Sequence, residues 1–307
     1  MLLKEKKLNL LGQGLLLLAT LIWGSTFIIL KDTLDSLPVM LVLAVRFLTS
    51  ALILLAVFRK RIKKMTGKTF LIGLTLGGVL SAAYLFQTYG LQDVSAGENA
   101  FLTSVYTVMV PFLCWAIFKR RPDVYSFIAG SVCILGIGCV SFSNGGAFAV
   151  GIGQILTVFC AVFYALQIII VDEFVKEEDP ACLLFLQLAV VGVVCAVGSC
   201  IFEFGRTEIS MTADALCRLI YLTLIGTLGA QACQMIGQKY VSASHTSILL
   251  SFESVFGLLF SVLAGGERLT PVSCIGFFLV FLSVVISETK LRFITKRLKK
   301  KTLHVEE

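Results

Sequence analysis

The sequence predicts an all-α polytopic membrane protein of ten transmembrane helices, arranged as two inverted five-helix repeats. Three observations lead there. The 307 residues are 57% apolar and 15% charged, with a mean hydropathy of +0.93, which leaves too little polar surface to clothe a soluble domain of that size. The apolar residues gather into ten runs, each near the ~20-residue length that crosses a hydrocarbon core about 30 Å thick. The second half of the chain also repeats the first at a fixed offset.

In order, the runs cover residues 10–30, 38–58, 69–91, 97–118, 124–142, 151–171, 181–203, 215–237, 243–264 and 271–289. Helix is the assignment for each, because open strands leave backbone groups unpaired in lipid. The first run follows Lys4, Lys6 and Lys7. It ends in Trp23-Gly24-Ser25-Thr26-Phe27 with no small-x-small cleavage site, so it reads as a retained span rather than a signal peptide.

Orientation follows from the basic residues. Connections counted alternately from the N-terminus hold three Lys/Arg in the N-tail, six at 59–68, three at 119–121, Lys176, Lys239 and seven in the C-tail. The other side holds only Lys31, Arg206, Arg218 and Arg268. By the positive-inside rule both termini are cytoplasmic, and the expected location is the cell (inner) membrane, crossed many times.

An offset of 147 residues aligns Gln87 with Gln234, Gly90 with Gly237, and Val94-Ser95-Ala96 with Val241-Ser242-Ala243. The match continues through Ser104 and Ser251, Val108 and Val255, Arg121 and Arg268, and Ile128 and Ile275. The chain therefore divides into a first repeat at 1–142, a second at 151–289 and a basic cytoplasmic tail at 290–307, either resting on anionic headgroups or solvated. Five spans per repeat is an odd number, so the second enters the membrane from the opposite face. Inverted repeats of this kind build secondary transporters that open a shared site to alternate sides.

Charged groups within a bilayer cost a few kcal/mol, ~2.5–3.5 on insertion scales, and are functional suspects by default. Arg46 and Glu253 stand near mid-depth of the second and ninth spans. Two readings stand for them: a substrate site in which Arg46 holds a carboxylate or phosphate while Glu253 takes an amine or a coupling proton, or a structural role as a buried ion pair or in helix-packing hydrogen bonds. Gln87 and Gln234, related by the repeat, are expected to line a central cavity, with Tyr84, Trp23 and Tyr106 as further substrate-binding candidates. Gln154, Tyr164, Gln167 and Gln231 are weaker ones, and Trp115 reads as an interfacial anchor. Glu98 and His245, equivalent in the repeat, are expected to cap helices or face water. The small-residue pairs Gly73/Gly77, Gly192/Ala196 and Gly226/Ala230 read as close-packing signals, within one chain or between two.

Several segments together resemble the EamA family of the drug/metabolite transporter superfamily. They are Trp23-Gly24-Ser25-Thr26-Phe27, Arg46-Phe47-Leu48, Leu249-Leu250-Ser251-Phe252-Glu253-Ser254-Val255 and Gly266-Glu267-Arg268-Leu269-Thr270. The resemblance covers nearly the whole chain in two copies. It departs from the family pattern at Ser254, where Pro usually follows the Glu, and at Phe163, where Trp is frequent. It implies a carrier with cytoplasmic ends and a central cavity lined by both halves, exporting amino acids, related metabolites or toxic compounds.

Other classes find little support. Gly67-Lys68-Thr69 looks like the end of a phosphate-binding loop, but Ile62 stands where that motif needs Gly. No HExxH or GxSxG occurs, the chain has only two histidines, and its ten cysteines fall in apolar runs with no CxxC pair, so no enzyme activity, cofactor or metal is expected. The expectation is secondary transport of small metabolites, with efflux of amino acids or related compounds by alternating access. The alternative is an uptake carrier or exchanger for nucleotide-like or phosphorylated solutes. A receptor, a channel and an intramembrane enzyme are the rivals of other class. Expected partners are the solute, the lipid bilayer and a coupling proton, with no nucleic acid, in a monomer or homodimer.

Overall fold

The computed structural model describes residues 2–119, 121–122, 124–143, 151–205, 209–264 and 269–289. Those residues are helical throughout apart from short connections, with no strand among them. The expected runs all fall on helix: α1 (Leu2–Leu34), α2 (Val39–Ile62), α3 (Gly67–Asp93), α4 (Ala96–Thr103), α5 (Tyr106–Phe118), α6 (Val124–Ser143), α7 (Ile152–Phe174), α8 (Pro180–Gly198), α9 (Ala213–Tyr221), α10 (Ala230–Gln238), α11 (Ala243–Leu263) and α12 (Pro271–Thr289). Two π-helical segments interrupt the regular pattern, Ser199–Glu203 after α8 and Leu222–Gly229 between α9 and α10.

Seven stretches are long and apolar enough to cross a membrane, among them Ala96–Ile117, which joins α4 to α5, and Ala213–Gln238, which joins α9 to α10. Three helices carry shorter apolar windows among the described residues: Phe127–Gly136 in α6, Leu249–Leu263 in α11 and Cys274–Ser283 in α12. Large apolar side chains cover the outside, such as Leu52, Val57, Phe70, Leu71, Val193 and Phe202. The interior holds Arg46, Glu98, Glu253 and many glutamines. That is the arrangement expected when the surroundings are lipid.

Local chemistry fixes the helix starts. Thr66 accepts from the Thr69 amide at α3, Ser95 from the Glu98 amide at α4, Asp179 from the Ala181 amide at α8, and Thr212 from the Ala215 amide at α9. Pro38, which precedes α2, offers no such cap. Glu203, distant in sequence, supplies one instead: its two carboxylate oxygens accept from the amides of Met40 and Leu41 at 2.8 and 2.9 Å. At its far end α5 stops where Lys119 adopts a left-handed conformation, φ 59°.

Helix pairs pack α2 on α8, α6 on α12, α3 on α7, and α1 on α10 and α11. The glycines of the small-residue pairs singled out from sequence each receive a neighbouring helix of this chain. Gly73 and Gly77 admit Leu186 and Val190 of α8, Gly192 admits Leu48 of α2, and Gly226 admits Thr26 of α1. Two further crossings bring glycine backbone against glycine backbone from both sides. A Cβ on Gly90 would lie 2.9 Å from the carbonyl oxygen of Gly153, and one on Gly153 would lie 3.0 Å from that of Gly90. Gly12 and Gly237 meet in the same way, at 3.0 Å in both directions. Only glycine lets the backbones approach so closely.

The basic tail 290–307, Arg206 and Arg268 lie outside the described residues, as does the side chain of His245. Glu98 departs from the water-facing expectation. Its amide is capped by Ser95, yet its carboxylate is buried and accepts from Gln154 Nε2 at 3.0 Å rather than facing water, because α4 lies inside the bundle against α7 and α11.

Candidate functional site

A cavity lies where α1, α2, α3, α4, α5, α7, α10 and α11 converge. All seven sequence candidates line it: Trp23, Arg46, Tyr84, Gln87, Tyr106, Gln234 and Glu253. Tyr164 and Gln167 join them, whereas Gln154 and Gln231 stand behind the wall. Gln231 supports that wall by donating to the Tyr84 hydroxyl at 3.1 Å. Trp115 is 41% exposed and apart from the cavity.

Arg46 is 1% exposed. Its Nε donates to Thr227 Oγ1 at 3.0 Å, and its guanidinium carbon lies 5.8 Å from the ring centres of both Phe47 and Tyr84. Cation–π contacts offset part of the cost of burying the charge, ~2 kcal/mol when desolvated. Nη1 has no hydrogen-bond partner. The π segment Leu222–Gly229 makes this arrangement. Widening the helix by one residue lets Thr227 donate five residues back, to the Leu222 carbonyl, and leaves the Gly226 carbonyl to accept from Trp23 Nε1 at 3.0 Å. One irregular turn thus positions both Arg46 and Trp23.

Glu253 enters from α11 and is 5% exposed. The buried Tyr106 hydroxyl faces its carboxyl without reaching hydrogen-bond geometry. No ion pair joins Arg46 and Glu253, although both line the same cavity. The ion-pair form of the structural reading therefore does not describe this conformation, whereas the Arg46–Thr227 bond is a helix-packing contact of the kind that reading also allows.

Amides form the rest of the polar lining. Tyr164 donates to Gln87 Oε1 at 2.7 Å, Gln87 Nε2 donates to Thr103 at 3.2 Å, and Gln234 Nε2 donates to Gln167 Oε1 at 3.0 Å. Gln167 Nε2 and Asn99 Oδ1 are buried without partners. Such groups cost ~1–3 kcal/mol each when left dry, so each has capacity for one more hydrogen bond. Asn99 and Thr227 escaped the sequence reading. Asn99 carried a signal, as an amide one position from Glu98, while Thr227 stood as a spacer between Gly226 and Ala230. Among the described residues no group of His, Cys, Asp and Glu could hold a metal ion.

The model of the EamA-like transporter family matches residues 10–142 and 151–289. The chain belongs to that family. An uncharacterized transporter of Archaeoglobus fulgidus is 34% identical to this EamA-like chain over 271 residues, which cover 88% of it and 83% of the relative. The uncharacterized inner membrane transporter YedA of Escherichia coli K12 is 24% identical, covering 89% of each chain. The uncharacterized transporter YoaV of Bacillus subtilis is also 24% identical, over 85% of this chain and 91% of its own. A solved crystal structure shares the fold at a TM-score of 0.70, with 15% identity, over 94% of this EamA-like chain and 99% of the other. The chain is a membrane-embedded small-molecule transporter, and its relatives are named as transporters rather than enzymes.

Proposed function

We propose that this EamA-like protein is a secondary carrier that exports amino acids or closely related zwitterions by alternating access. The observation that carries the reading is the placement of Arg46 and Glu253 in one cavity, buried and not paired with each other. A solute bearing a carboxylate and an ammonium group satisfies both charges at once, the Arg46 fork taking the carboxylate. The alternative of a phosphorylated or nucleotide-like solute fits less well, since a dianion would gain one cation and meet the Glu253 carboxylate.

Ten spans in two inverted repeats complete the reading, with α6, α11 and α12 crossing alongside the seven longer stretches. Support comes from the glycine crossings. Gly90 and Gly237 are equivalent in the 147-residue repeat, and each meets a glycine near the start of the helix that opens the other half, Gly153 on α7 and Gly12 on α1. With both termini cytoplasmic, as the basic residues indicate, the Gly90–Gly153 crossing closes the outer end and the Gly12–Gly237 crossing the inner end. Opening one while the other holds is alternating access. Glu253 then serves as the site of a coupling proton.

The test is flux from proteoliposomes loaded with pooled labelled amino acids and metabolites, with and without an imposed proton gradient. Selective amino-acid flux accelerated by the gradient is expected. Flux confined to phosphorylated solutes, or none from any pool, would overturn the proposal.

A further inference from the structure

The cavity contains one hydrogen-bonding atom whose polarity the surrounding bonds determine. Thr157 Oγ1 donates its single proton to the Gly153 carbonyl at 2.7 Å, so toward any other neighbour it can only accept. Asn99 Nδ2 donates to that oxygen at 2.8 Å and to the Gln87 carbonyl at 3.2 Å. Both partners are acceptors, and a reversed Asn99 amide would set oxygen against oxygen twice. The remaining atom, Asn99 Oδ1, is therefore an acceptor. It is buried, has no partner, and belongs to a residue that lines the cavity.

We propose that Asn99 is a specificity-determining residue whose Oδ1 accepts a hydrogen bond from an N–H of the transported solute. This rests on the reading of the cavity as an amino-acid site and adds to it a requirement that charge alone does not impose. Glu253 attracts any cationic nitrogen, methylated or not, whereas Asn99 needs a proton to accept. The same amide ties recognition to the outer end, because Thr157 is the residue that a Cβ on Gly90 would strike. Residue 246, the repeat equivalent of Asn99, is a threonine with a buried and unpartnered hydroxyl. The second half has no matching amide, so donor recognition falls to one side of the pseudosymmetric cavity.

The experiment measures thermal stabilisation of the purified full-length protein in nanodiscs by L-leucine and by N,N,N-trimethyl-L-leucine, which keeps both charges and the side chain but has no N–H. The wild type is expected to prefer L-leucine by about tenfold or more in apparent affinity, the factor one hydrogen bond to a charged donor supplies. Asn99→Leu should bind both equally, Asn99→Asp should regain the preference by restoring an acceptor, and Thr157→Ala should keep it. Equal binding of both compounds by the wild type, or a preference that survives in Asn99→Leu, would overturn the assignment while leaving the amino-acid reading intact. If neither compound stabilises the wild type, both fall. Should Asn99→Leu fail to fold, the preference in Asn99→Asp decides, and its absence there overturns the proposal.

Discussion

Arg46 and Glu253 enter the same cavity from α2 and α11, and no ion pair joins them. A buried charge without a counter-charge costs several kcal/mol even after relaxation. Thr227 and the rings of Phe47 and Tyr84 offset part of that cost for Arg46, and the remainder is available to a ligand.

Arg46→Ala should lower solute flux by at least about tenfold, since a charge-assisted hydrogen bond contributes ~1.5–3 kcal/mol. Arg46→Lys should recover only part of it, because an ammonium lacks the planar fork that bonds Thr227 while presenting Nη1 to the cavity. Flux measured in proteoliposomes at matched protein content decides this. Equal flux in Arg46→Ala and wild type would remove Arg46 from the site.

Glu253→Gln keeps the shape of the side chain and removes its charge and its titration. Exchange of solute across the membrane should persist, weakened, while acceleration by an imposed proton gradient disappears. Comparing gradient-driven and equilibrium-exchange rates in the same vesicles separates the two effects. A variant still driven by the proton gradient would place coupling elsewhere.

The all-helical fold and its seven long apolar stretches were legible because lipid imposes a length and a composition that hydropathy reads directly. Arg46, Glu253 and the paired glutamines were legible because polar groups in apolar runs are rare enough to stand out. Contacts made only by folding were not. Thr227 matters through one π segment that its own sequence, Leu222-Thr223-Leu224-Ile225-Gly226-Thr227-Leu228-Gly229, does not announce. The Glu203 cap on α2 joins residues more than 160 positions apart. Glu98 read as a helix-capping or water-facing residue because it follows a short connection, and only the packing of α4 places it inside.

Glu203 accepts from two amides at the start of a helix that has no cap of its own. Glu203→Ala should destabilise the protein by ~1–2 kcal/mol, the scale of a lost N-cap reinforced by the helix dipole. The loss should appear as a lower melting temperature in nanodiscs and as faster hydrogen exchange at Met40 and Leu41. Glu203→Gln retains an acceptor and should lie between. Unchanged exchange at those two amides in Glu203→Ala would mean that the cap carries no stability.

The two glycine crossings make opposite predictions for the two ends. A side chain at Gly90 would strike Thr157 and the Gly153 carbonyl, and one at Gly237 would strike Leu16 and the Gly12 carbonyl. Overpacking of this kind costs ~1–3 kcal/mol, enough to shift a two-state equilibrium by roughly 5- to 150-fold. Gly90→Val should therefore open the end formed by α3 and α7, raising hydrogen exchange in the last turn of α3 and the first of α7 while α1 and α10 remain protected. Gly237→Val should reverse the pattern. Both variants should slow net flux, because a carrier held open at one end completes fewer cycles. If each substitution loosened both ends together, the crossings would be packing contacts of one rigid core, and the alternating-access assignment of the two ends would fail.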